Sequence, residues 1–291
     1  VRSRRQRQMC IRDRVGRTAY SLWAVRGEPL NMTRNFQRIL LWLMFSGVFW
    51  ITGGLLEGPQ RLACWGLALA IEVLSPSLYF WVPGLGRSTL EDWNVEGNHM
   101  AERCALFVII ALGESLLVTG ATFAELATSA EGVLAFVVAV LGSIAMWWVY
   151  FDSGAERAHH RIAHSSDPGR QARIAYTYLH VLIVAGIIVS AVADELVLVH
   201  PQHASQAAVL VIVGGPWLFL LGCALFKWVM NERPLPPLSH LAGLAALLLL
   251  LPAAWNQWFS ALALGSLTTL VMLLVAAWET LALRERAASR Q

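Results

Sequence analysis

Charge is scarce in this chain: only 14% of its 291 residues are Asp, Glu, Lys or Arg, and Lys227 is the only lysine. So little charge, with a mean hydropathy of +0.55, excludes an ordinary soluble enzyme. Cysteine is scarce too, four in all, which excludes a secreted disulfide scaffold. Of the common catalytic signatures, H-E-x-x-H, G-x-S-x-G and a Walker-type glycine loop are missing. A retinal protein needs a lysine within a span, and Lys227 stands at a span end. What the chain has in abundance is apolar residues, 57% of the total, gathered in long runs. That pattern reads as an all-α, polytopic helical membrane protein.

The first residues need separate treatment. Arg4–Arg14, RRQRQMCIRDR, match codon by codon a common transposon-based sequencing adapter, so residues 1–14 are read as a sequencing-adapter artefact and not as a basic arm for nucleic acid. Without their six arginines and Asp13 the formal charge moves from +3 to −2. Residues 15–38 are mixed in character and read as a cytoplasmic linker, 39–281 as a single membrane domain and 282–291 as a cytoplasmic tail.

Crossing roughly 30 Å of hydrocarbon takes about 20 helical residues. Eight runs qualify: Ile39–Leu56, Leu62–Trp81, Cys104–Phe123, Gly132–Phe151, Ile174–Ala193, Ala207–Phe226, Leu238–Trp255 and Phe259–Leu281. Threaded alternately, they leave fifteen Arg and Lys residues on one side and only Arg61 on the other, a bias that places both ends in the cytoplasm. Trp147, Trp148, Trp228, Trp255, Trp258 and Trp278 fall at run ends, as an interfacial belt requires. The expected setting is a bacterial cytoplasmic membrane, with the lipid bilayer as partner and no nucleic acid.

Ionisable residues at bilayer depth are costly and so mark candidate sites. Glu72 and Glu114 each lie ten residues into consecutive antiparallel spans, about 15 Å deep. There they either share a proton or small cation or act as interhelix hydrogen-bonding glue. His99, Glu102 and Arg103 cluster within one turn at the mouth of the third span, and Arg103 shares a helix face with Glu114. Asp152 and Glu156 begin a polar stripe continued by His160 and His164, with arginines alternating as in a salt-bridged helix; no metal is expected there. His180, about 9 Å into the fifth span, completes the candidates. Gly186 and Ser190 suggest close helix packing.

The stretch HMAERCALFVIIALGES, His99–Ser115, resembles the signature of the bacterial low temperature requirement protein A family, and so does WWVYFDSGAERA, Trp147–Ala158. The resemblance implies a multi-pass bacterial membrane protein of a family named for growth in the cold, and it singles out His99, Glu102, Arg103, Gly113, Glu114, Asp152 and Glu156. Met100 stands where the family usually has an aromatic, and the early ELFFDLVF motif is missing, which reads as an N-terminally truncated fragment. Two functions compete: movement of protons or a small solute past midplane carboxylates, and a non-transporting structural or regulatory role during growth in the cold. Neither requires an enzyme activity or a cofactor.

Overall fold

The computed structural model describes residues 13, 15–25, 27, 30–88, 97–126, 129–152, 173–230 and 235–288. The expectations for residues 1–12 and 14, for 289–291 of the tail, and for Glu156, His160 and His164 fall outside the described residues. Contacts divide the chain into two compact units, Val1–Asn94 and Val95–Gln291. The boundary falls within the stretch read as one membrane domain, and each unit is described by itself.

In the first unit a helical stretch at 15–24 precedes α1 (Leu30–Leu55) and α2 (Gly58–Ser77). α1 starts well before the apolar run at Ile39, because its polar residues Asn35 and Arg38 are covered. Arg38 donates from Nε and Nη2 to the Leu85 carbonyl, and Ser88 donates to Asn35 Oδ1 at 2.6 Å. α2 begins four residues earlier than its apolar run. Gly58, at φ 60°, makes the turn, and Pro59 opens the helix where a missing N–H costs nothing. It ends at a left-handed Tyr79, φ 53°, where Tyr79 N donates to Pro76 O and Phe80 N to Ser75 O. Those two bonds satisfy carbonyls that a helix end otherwise leaves open.

The second unit holds α3 (Gly97–Glu125), α4 (Ala130–Phe151), a π-helical segment (Arg173–Leu179) running into α5 (His180–Val199), α6 (Gln206–Met230), α7 (Leu238–Trp255) and α8 (Ala261–Ala288). α5 and α6 make the most extensive contact. Its cause is legible in the residues: side chains at Gly186, Gly215 or Gly222 would run into Phe219, Ser190 and Ile183 respectively. With no hydrophobic force between helices in lipid, such close backbone approach is what holds them.

Among the described residues there is no strand beyond an isolated Val82–Gly86 bridge. Among the described residues seven helices are long and apolar enough to cross a membrane. α2 is the exception, its apolar run diluted by Gln60, Arg61, Glu72 and the serines near its end. Large apolar side chains such as Leu106, Phe107, Ile110, Leu249 and Leu274 point outward, a surface suited to lipid and not to water. The chain is thus a polytopic helical membrane protein.

Candidate functional site

The sequence-derived candidates are divided between the two units and are taken unit by unit. Glu72, in the first unit, is half-buried on α2, and its Oε1 accepts from Ser46 Oγ at 3.0 Å and Trp50 Nε1 at 2.9 Å, both on α1. This is the geometry of interhelix glue. Glu114, in the second unit, is exposed on α3, as are Glu102 and Arg103, so the face shared by Arg103 and Glu114 points out of that unit's core. The His99 side chain lies outside the described part of α3. Asp152 and His180, by contrast, come to the same end of the second unit.

At that end α4 finishes, the π-helical segment passes into α5, α6 finishes and α7 starts. The wider π turn brings the Ala175 carbonyl, five residues back, within 2.8 Å of His180 Nδ1. A carbonyl can only accept, so Nδ1 carries the hydrogen, and in the neutral ring Nε2 accepts from the Tyr150 hydroxyl at 2.8 Å. Tyr176 stacks on the imidazole and Phe226 meets it edge-on.

The residue after Phe226 is Lys227. Sequence reasoning placed it among the cytoplasmic flanking charges; the structure corrects this, because α6 continues past it and its side chain is 4% exposed. Lys227 Nζ donates to Glu279 Oε2 of α8 at 2.6 Å and to the Val149 carbonyl of α4 at 2.8 Å. From α7, His240 Nε2 stands 3.8 Å from the same carboxylate oxygen, too far for a hydrogen bond. His240 Nδ1 pairs with Ser239 Oγ at 3.2 Å, while Nε2 has no hydrogen-bond partner among the described residues. Glu279 and His240 are 7% and 0% exposed, so a cation, an anion and a titratable ring are enclosed together.

Asp152 flanks this layer at the surface. Thr280, next to Glu279, donates to Asp152 Oδ2 and accepts from Trp148 Nε1 at 3.1 Å, tying the end of α4 to α8. Glu279, His240 and Lys227 were missed as a site because each sits near the end of an apolar run, where charge ordinarily reaches water. The available signal was that all three lie near span ends on the same side.

Chemically the layer holds an ion pair in low dielectric, where each partner depends on the other, beside two imidazoles able to take or give a proton.

Comparison with known proteins fits this architecture. The family described as bacterial low temperature requirement A protein (LtrA) matches residues 11–277. The chain belongs to the LtrA family. Uncharacterized protein RA0937 of Rhizobium meliloti (strain 1021), a curated relative, is 41% identical over 277 residues, covering 93% of this chain and 65% of its own length. The chain thus spans about two thirds of that relative. No solved structure matches. The LtrA match covers both units, and every side chain of the enclosed layer except Glu279 falls inside it.

Proposed function

We propose that this LtrA chain is the membrane core of a non-enzymatic protein that moves protons or a small cation across a bacterial cytoplasmic membrane, both ends lying inside. The observation that carries the reading is the enclosed Lys227, Glu279 and His240 cluster on three helices, since ionisable groups at membrane depth mark proton and ion paths. His240 Nε2 faces the carboxylate without a bond and is the group best placed to exchange a proton with it. The reading moves the site away from the Glu72 and Glu114 pair, whose first member is already held by Ser46 and Trp50.

The test is proton and cation flux in liposomes containing a full-length protein with this chain. His240→Gln, which leaves the ion pair in place, is expected to abolish flux at unchanged membrane abundance, whereas Glu72→Gln is expected to retain it. Full flux in His240→Gln sinks the assignment. A second reading, a structural or regulatory protein of growth in the cold, is favoured by the mutual neutralisation of Lys227 and Glu279, which pins α6 to α8. It predicts no flux from the unsubstituted protein.

A further inference from the structure

Away from the charged layer, the second unit forms a partly open cavity of about 30 Å³ between α4, α5, α6 and α8. One water needs about 10–15 Å³ on that measure, so there is room for an ion and a water. Among the described residues Asp194 is the only charged one lining it, and its carboxylate has no ion pair there. Ser190, one turn earlier on α5, also lines it; its hydroxyl is 4% exposed as a residue and has no hydrogen-bond partner among the described residues. A Cβ at Gly215 would come within 2.6 Å of that oxygen, so glycine at 215 is what leaves the hydroxyl its place. Across the cavity stand Thr268 and Thr269 of α8. Thr268 spends its proton on the Gly265 carbonyl at 3.0 Å, leaving its oxygen lone pairs open. Pro216, also in the lining, has no N–H for the carbonyl of Ile212 one turn back, so a backbone oxygen of the wall is released from the helix ladder.

We infer that this cavity binds one monovalent alkali cation, with Asp194 as counter-charge and the oxygens of Ser190, Thr268 and Thr269 as ligands. The named polar groups all coordinate through oxygen, which suits hard cations and not the softer transition metals. One carboxylate balances one positive charge, so a divalent ion would remain uncompensated in an apolar surround. A buried serine with no partner is also the group such an ion would satisfy. This site goes beyond the proposed function, because binding here does not require transport.

The experiment is thermal unfolding of the purified chain in detergent, followed by tryptophan fluorescence, with lithium, sodium or potassium chloride replacing choline chloride at constant ionic strength. At a hundredfold excess over its dissociation constant, at least one of the three cations is expected to raise the midpoint by roughly 5 °C or more. Asp194→Asn is expected to abolish the cation-specific rise whatever it does to the baseline midpoint, and Ser190→Ala to retain the rise at higher cation concentration. Equal midpoints in choline and all three cations overturn the inference, as does a rise that persists in Asp194→Asn. Unchanged apparent affinity in Ser190→Ala overturns the ligand set. A failed flux assay leaves these results standing, so the two readings fail separately.

Discussion

Lys227→Met is expected to cost about 3–5 kcal/mol of stability, because it strips the counter-ion from a Glu279 carboxylate that is enclosed and cannot turn to water. Adding Glu279→Leu to the same chain is expected to recover most of that loss, since two apolar side chains fill the space without a charge to solvate. The measurement is denaturant unfolding in micelles for the single and double variants, read as a double-mutant cycle. A double variant no more stable than Lys227→Met would show that the pair holds the helices through packing and not through charge. The Val149 carbonyl loses a donor in either variant, so recovery is expected to fall short of complete by about 1 kcal/mol.

The second large effect lies in the α5 and α6 contact. Gly186→Leu places a Cβ 2.3 Å from the Phe219 backbone nitrogen and 2.5 Å from its Cα. Backbone cannot swing aside as a side chain can, so the helices must part, at a cost of at least about 3 kcal/mol, the upper end for overpacking. Membrane abundance and monodisperse extraction are expected to collapse. Gly214→Ala is the control: on the facing helix, α6, a Cβ there meets nothing within 4 Å, and the change is expected to gain up to about 1 kcal/mol from helix propensity. Equal behaviour of the two variants would mean that α5 and α6 are not held by close approach.

The contrast between those positions explains what the sequence disclosed and what it withheld. Each of the eight apolar runs became a helix, though only seven of these helices, among the described residues, are long and apolar enough to span, and α7 runs from Leu238 to Trp255 as read, fixed by Pro237 before it and a left-handed Gln257 after it. The linker at 15–38 is partly helical because helix formation depends on backbone bonding, not on apolar content, and Arg38 found acceptors in the turn at Leu85 and Ser88. Depth found Glu72 and Glu114, but depth is measured along one helix and says nothing of which way a side chain faces. Glu72 faces α1 and Glu114 faces outward. Lys227, His240 and Glu279 needed three helix ends brought to one level, which is a property of packing. Asp194 follows the apolar run that ends at Ala193, yet it lines a cavity because α5 continues to Val199.

The enclosure of Lys227 has a chemical consequence of its own. It is the chain's only lysine, so in the folded bundle an acylating reagent aimed at side-chain amines finds no accessible target. Modification at 227 requires α6, α8 and the end of α4 to separate first, and with reagent concentrated enough to outpace reclosing its rate is the rate of that separation. The molecule carries a built-in clock for its own opening, readable by mass with no label introduced.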